Sequence, residues 1–492
     1  MKEYMKILRL LLFFCIISSP LTLHLSCLVS DSNLPNDLEH LMDRYHEVGL
    51  FQGAVLVSHN NQVVLEKAYG EANREWHVKN TIDTKFRLGS ATKPFTAAIV
   101  MKFVEEGLLD LCAKVSDYLP YYPADIGNQI SIHHLLTHSS GIQMPAMSMD
   151  EYWEFFQLEW STKELVDSLC SRELKFIPGS HFSYSSAGYI LLGAIIEKIS
   201  GKSYERVLSE YIFEPNNMNN TGVDNPITIV SKRASGYQTN FGYGNARYKY
   251  MPSSHASGSL YSTVRDLYKW DQLLKSNNFL SDSTKKMMYT SKIESHRGGF
   301  GYGWFIDTVR VSNSIQTRVF HAGDVSGFCA LYVRVLESGD FIALLSNEEG
   351  LNYYDIAFSI LDLLNGIELE KPRPYLSDLM RYIYYNEGLE AMKSKYASFN
   401  TNDLDNFKID EDEINEVGYD ILTVGDVIAA IEVFKINVEL HPGSSHAYDS
   451  LGEGFMTLGN MDLALLNYEI SLKLNPENSN AVKMIKLIKK KK

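Results

Sequence analysis

Ser90 and Lys93 stand three residues apart in FRLGSATKPFTAAIVMKFV, Phe86 to Val104, at the opening of an apolar run. Residues three apart share one helix face, so this spacing sets a hydroxyl beside an amine. From Phe95 to Val104 only Thr96 and Lys102 are polar, and a helix apolar nearly all round belongs inside a core. Pro94 is tolerated only within the first turn, which puts the helix start near Ser90, and Gly107 is a natural stop. At such a start, backbone N–H groups and the positive dipole end can stabilise an oxyanion. A lysine partly desolvated there loses basicity and can take the serine proton. The chemistry on offer is acyl transfer through a serine nucleophile. Alone, the tetrapeptide fits an N-cap serine and a solvated lysine at least as well, so the rest of the chain must decide.

Several elements are available to hold this helix. NDLEHLMDRYH, Asn36 to His46, reads as an amphipathic helix, and GAVLVSHNNQVVLEKAYG, Gly53 to Gly70, as two strands joined by a hairpin turn. In SIHHLLTHSSGI, His134 and His138 lie four apart, but no acidic residue completes a zinc-protease pattern. They read as hydrogen-bonded structural histidines. Pro178 and Gly179 turn the chain into HFSYSSAGYILLGAIIEKISGKSY, where Tyr184 and Ser186 precede an apolar helix from Tyr189 to Ile199. HASGSLYSTVRDLYKWDQLL, from His255, is a glycine-containing turn followed by Ser262 or Thr263 capping a helix through Leu274. Alternation and aromatic content mark returning strands at Gly298 to Ile306, Thr317 to Val335 and Asp340 to Asn347. His321 and Gly323 fall between the strand run ending at Phe320 and the turn at Gly327. Early strands, a helix-rich middle and returning strands make an α+β arrangement.

The C-terminal part has its own period. GDVIAAIEVFKINVELHP from Gly425 and GNMDLALLNYEISLKLNP from Gly459 are offset by 34 residues. Ala430 matches Ala464, Phe434 matches Tyr468, Pro442 matches Pro476, and in the preceding helices Gly418 matches Gly452. A 34-residue helix-turn-helix repeat with these positions is a tetratricopeptide pair. Residues 478–492 supply a capping helix, the helical run Met380 to Tyr396 extends the stack, and the acidic segment Asn402 to Glu416 reads as a polar connection.

At 492 residues, with 45% hydrophobic and 22% charged positions, the chain is long enough for two or more globular domains. Lys2, Lys6 and Arg9 ahead of an apolar run broken by Pro20 read as a secretory signal peptide over residues 1–27, with Cys27 as a possible lipidation point. Without that leader the formal charge moves from −14 to −16, which argues against nucleic-acid partners. Cys112, Cys170 and Cys329 remain, an odd number far apart, so they imply buried thiols rather than a disulfide framework.

Taken in order, Ser90-Ala-Thr-Lys93, HLLTHSSG (His134 to Gly141), PGSHFSYSSAGYILLGAIIEKISG (Pro178 to Gly201), SLYSTVRDL (Ser259 to Leu267) and HAGDVSGF (His321 to Phe328) resemble one family. It is the serine hydrolases related to class C β-lactamases, low-molecular-weight penicillin-binding proteins and β-lactamase-fold esterases, over about residues 35–365. The resemblance implies an antiparallel sheet flanked by helices plus a helical subdomain over residues 28–370, a helical connection at 371–410 and the all-α tetratricopeptide module at 411–492. It implies that Ser90 is acylated, that Lys93 and Tyr184 handle protons, and that Ser186, His321, Gly323 and Asp324 border the substrate, with the backbone N–H groups of Ser90 and Asp324 as the oxyanion hole. Tyr184 suits that role only if neighbouring cations lower its pKa from about 10, and Lys93 is one such cation.

Two positions depart from the family pattern. Ser186 stands where asparagine is frequent, and His321 where β-lactamases and many peptidases have lysine. Both changes weaken recognition of a penicillin or D-Ala carboxylate while leaving ester cleavage feasible. The expected protein is a secreted or periplasmic hydrolase of esters, amides or D-amino-acid peptides. It uses no metal or cofactor, can dock a protein partner through its repeats, and meets a membrane only if lipidated at Cys27. The competing reading is a catalytically weak protein that binds cell-wall fragments while its repeats recruit a partner.

Overall fold

The structure, a computed structural model, describes residues 33–170, 173–239, 244–311 and 314–491. The leader expected at 1–27, with Cys27, lies outside the described residues.

Helix α1, Leu34–Glu47, buries Leu34, Leu38, Leu41, Met42 and Tyr45, one apolar stripe at helical spacing. It lies against an eight-stranded antiparallel sheet made of β1 (Gly53–His59), β2 (Gln62–Tyr69), β3 (Ile293–Ser295), β4 (Gly298–Phe300), β5 (Phe305–Val311), β6 (Ser314–Val325), β7 (Phe328–Val335) and β8 (Phe341–Ser346). The spatial order is β3-β4-β5-β6-β7-β8-β1-β2. The N-terminal hairpin therefore closes on the last strand, Ala54 facing Leu345 and Ser58 facing Phe341. Asn60 and Asn61 take φ of 51° and 62°, the left-handed pair that a two-residue hairpin turn needs.

Successive strand residues point to opposite faces, and the sheet is covered on both. Val55, Val57, Leu331, Val333, Ile342 and Leu344 join a core with α1 and the helix α5, Tyr353–Leu364. Ala54, Leu56, Ala330, Tyr332, Ala343 and Leu345 face the other core. That second core is filled by α2 (Lys93–Glu105), α3 (Ser186–Ser200) and α4 (Val264–Lys275). Thr263 caps α4 by accepting the Asp266 N–H.

Helix α2 starts later than the sequence implied. Ser90 occupies a 3-10 turn, Gly89–Thr92, and the α-helix begins at Lys93. The reason is local: Pro94 has no N–H to give the Ser90 carbonyl, so the Lys93 N–H takes it three residues on. Residues Lys93 to Met101 and Phe103 are all buried, as an all-round apolar helix requires.

A third core is formed C-terminally by α6 (Leu376–Glu387), α7 (Leu389–Ala397), α8 (Glu411–Thr423), α9 (Val427–Leu440), α10 (Ser445–Thr457), α11 (Met461–Leu474) and α12 (Ser479–Lys491). The matched glycines have a packing reason. A Cβ at Gly418 would stand 2.3 Å from the Phe434 ring, and one at Gly452 would stand 3.2 Å from the Tyr468 ring, so each glycine admits an aromatic from the following helix. Asn402 to Glu416 is not the polar connection expected. Helix α8 begins inside it, capped by Asp410, which accepts the Glu413 N–H, and it buries Ile414. Glu411, Asp412 and Glu413 fill its first turn, where carboxylates complement the helix dipole. The cysteines also differ in part from expectation: Cys170 and Cys329 are buried but Cys112 is exposed, and all three are free. No helix among the described residues is long and apolar enough to cross a membrane.

Candidate active site

Strand β6 outruns one neighbour. Its pairing with β5 stops at Phe320 opposite Phe305, while its pairing with β7 runs on to Val325 opposite Phe328. The freed edge of His321 to Val325 receives the Ser90 turn. Only glycine allows the approach: a Cβ at Gly323 would sit 2.0 Å from the Leu88 carbonyl oxygen and 2.6 Å from the Ser90 nitrogen. From the other side Gly89 has φ of +50° and would place a Cβ 2.9 Å from the Asp324 carbonyl oxygen. The Tyr332 hydroxyl, donating to the Ala91 carbonyl at 2.8 Å, pins the turn to the sheet beneath.

Lys93, fully buried, lies with Nζ 2.9 Å from Ser90 Oγ, 2.8 Å from the Ser257 carbonyl oxygen and 3.5 Å from Ser186 Oγ. The same nitrogen stands 4.9 Å from the centre of the Tyr184 ring and 5.7 Å from that of Tyr189. Burial holds its pKa well below the usual lysine range, and the nearby charge of Lys249 lowers it further.

Tyr184 is 38% exposed, but its hydroxyl is buried and hydrogen-bonds with Ser90. Its ring lies 4.2 Å from the His138 ring and parallel to Phe305 at 6.4 Å. His138 is itself fixed, its Nδ1 accepting the Ser185 N–H at 3.0 Å and its carbonyl accepting the Ser183 N–H at 2.8 Å. His134 is engaged elsewhere, in the cap of its own helix with Ser131. The expected lowering of the Tyr184 pKa is reversed. Burial of the hydroxyl raises it far above 10, the Ser90 contact opposes this only in part, and Tyr354 and Asp324 add to the rise. Burial of the phenol outweighs any help from Lys93, whose own charge burial disfavours.

His321 is buried, with Nδ1 2.7 Å from the Ala322 carbonyl oxygen, a contact that assigns the proton to Nδ1 and leaves Nε2 as an acceptor. Burial and Lys93 hold its pKa down to about 3, so it is neutral across the physiological range. The Asp324 carboxylate points away from Ser90, accepting the Tyr353 hydroxyl at 2.7 Å and the Cys329 thiol at 3.1 Å. Its backbone is the part that flanks the turn.

A cavity of about 110 Å³ opens beside Ser90, lined by Ser186, Ser257 and Asp324 and closed by Tyr152, Phe156 and Lys249. Ser257 and Lys249 were not singled out from sequence. The glycine after Ser257 was a signal for a tight turn, whereas Lys249 in RYKYMP looks like any solvated lysine. The one group of possible metal donors found among the described residues, Glu411, Asp412 and His446, belongs to α8 and α10 rather than to this cavity.

The Beta-lactamase family model matches residues 35–361, and the chain belongs to that family of serine hydrolases. Penicillin-binding protein 4* of Bacillus subtilis is 27% identical over 350 residues, covering 65% of this chain and 74% of its own. The octameric penicillin-binding protein homologue from Pyrococcus abyssi superposes with a TM-score of 0.59 at 30% identity, over 68% of this chain and 78% of its own. The D-amino acid amidase of Ochrobactrum anthropi shares the fold, with a TM-score of 0.58 at 22% identity over 68% of this chain and 99% of its own. The residues matched by the family model fall in the α+β part, and the C-terminal helices α6 to α12 lie beyond them.

Proposed function

We propose that the protein hydrolyses esters, amides or D-amino-acid peptides through a Ser90 acyl-enzyme, in the manner of a carboxylesterase or D-peptidase. The observation that carries this reading is the buried Lys93 amine 2.9 Å from Ser90 Oγ, with burial holding its pKa well below the usual lysine range. Its two N–H bonds serve the Ser257 carbonyl and Ser186, leaving the lone pair for the Ser90 proton. Ser90 Oγ bonds to the substrate carbonyl carbon as its proton passes to Lys93. The resulting oxyanion is met by the backbone N–H groups of Ser90 and Asp324, which the glycine contacts bring side by side. The bond to the leaving group then breaks. Tyr184, a phenol and not a phenolate, gives that group its proton and is reprotonated by Lys93. Water attacks the acyl carbon, its proton goes to the now neutral Lys93, and Lys93 returns it to Ser90 as the product leaves.

Penicillin turnover is less well supported. Neutral His321 offers no cation to a carboxylate, and Ser186 offers a short hydroxyl where an amide would reach further. We read the C-terminal helix pairs, starting at Glu411 and Ser445 and at Val427 and Met461, as tetratricopeptide repeats over residues 411–492. Their exposed faces suit a protein partner. The basic, apolar leader at 1–27 supports export to the cell envelope or beyond. The test is an intact-mass measurement after exposure to a fluorophosphonate. One adduct on the wild type and none on Ser90→Ala is expected; equal labelling of both would overturn the assignment.

A further inference from the structure

Four lysine or arginine side chains are buried among the described residues: Lys93, Lys249, Lys285 and Arg334. Lys285 pairs with Asp282 at 2.9 Å and Arg334 with Asp271 at 2.7 Å. The remaining two both border the Ser90 cavity. Lys93 is the amine already assigned to the serine. Lys249 has no carboxylate against it among the described residues; its Nζ donates to the Tyr152 hydroxyl at 3.1 Å and sits 4.2 Å above the Phe156 ring. Arg87, the other cation nearby, is matched by Asp224 at 2.6 Å. An ammonium held in an enclosed site without a counter-ion is costly, and the aromatic faces meet only part of that cost.

We propose that Lys249 recognises a carboxylate carried by the acyl group of the substrate. The inference rests on the acyl-enzyme reading above, and the layout of the site tells acyl group from leaving group. Tyr184, which protonates the leaving group, does not line the cavity that Lys249 closes. The leaving group therefore departs on the Tyr184 side, and the acyl chain bonded to Ser90 occupies the cavity, with its far end at Lys249. About 110 Å³ suits a short chain. Lys249 thus puts on the acyl side the cation that His321 cannot supply on the strand. Burial and Arg87 lower its pKa to about 8, so near neutral pH it is still charged. No backbone pattern near Lys249 announces this role; Tyr152 and Phe156 create it from a distant part of the chain.

The test compares two length-matched esters with one leaving group, para-nitrophenyl valerate and the mono-para-nitrophenyl ester of glutaric acid, with Ser90→Ala as background. The wild type should favour the glutarate ester in kcat/KM by about tenfold or more. Lys249→Met should lower the glutarate-to-valerate ratio by about ten- to hundredfold, mainly through KM, the worth of one charge-assisted hydrogen bond, and Lys249→Arg should restore part of it. On the wild type alone, free glutarate should slow fluorophosphonate labelling of Ser90 more than valerate does. An equal loss on both esters would mean that Lys249 acts only through the Lys93 pKa, and the proposal would fall. It would fall equally if the wild type preferred neither ester or if the two free acids protected alike. Failure of both esters to acylate Ser90 and of the fluorophosphonate to phosphonylate it would instead overturn the hydrolase reading, and this inference with it.

Discussion

The Ser90 cavity and the C-terminal helix stack handle buried charge in opposite ways. In the stack no lysine or arginine among the described residues is buried, and the buried carboxylate of Asp449 is met within the protein, accepting from Asn478 at 2.9 Å and from Asn480 at 2.6 Å. Its core repeats one solution, a glycine under an aromatic, at Gly418 with Phe434 and at Gly452 with Tyr468. Around Ser90, Lys93 and Lys249 are buried with no carboxylate against either among the described residues. The stack is made by packing that could be repeated indefinitely. The cavity keeps electrostatic demand that a reacting substrate can meet, which is how preorganised sites favour a transition state.

This contrast can be broken or sharpened by substitution. The largest effect on hydrolysis is expected from Lys93→Met, which removes the base while keeping an apolar stem in an apolar site. Single-turnover acylation should fall by about 10²–10⁴-fold, with little net change in thermal stability, because relief from burying an amine offsets the Ser257 carbonyl left without its donor. A variant that kept its rate would show that Lys93 is structural. Next comes Gly323→Ala. With the Leu88 carbonyl 2.0 Å from the new Cβ, strand and turn must separate, and a displaced oxyanion donor costs about 10²–10³-fold in kcat. Activity within a few-fold of the wild type would remove Asp324 from the oxyanion hole. The smallest effect on hydrolysis belongs to Phe434→Ala. Denaturant unfolding followed by far-UV circular dichroism should show the helices destabilised by about 3–5 kcal/mol, while Ser90 labelling at 25 °C persists. Loss of labelling would show that stack and cavity are one unit and would end the contrast.

Much of the cavity was legible in the chain. Ser90 and Lys93 are local neighbours, so spacing alone sets them near each other, whereas Gly323 came only from the family resemblance, and its close approach to the Leu88 carbonyl depends on contacts far along the chain. The hairpin at Asn60 and Asn61 and the apolar helix after Pro94 follow from turn chemistry and periodicity. Lys249 was not legible, because its burial is decided by Tyr152 and Phe156 almost a hundred residues earlier. Protonation states were not legible either. Proximity suggested that Lys93 would acidify Tyr184, whereas burial acts on both groups and drives them the other way. The reading of Asn402 to Glu416 as a polar connection overlapped the helical module expected from 411, because Glu411, Asp412 and Glu413 look like a solvated linker until Asp410 is seen as a cap.

The central claim is that a neutral Lys93 takes the Ser90 proton. The direct measurement is the pH dependence of the acylation rate of Ser90 by a neutral ester, followed in a single turnover. Burial lowers the Lys93 pKa, so the working, unprotonated form is lost only as the pH falls through that lowered value. The rate should rise with pH through one ionisation well below 10.5 and level off, and Lys93→Met should lose that ionisation. A rate that climbs only toward 10.5, or a profile unchanged in Lys93→Met, would contradict the account.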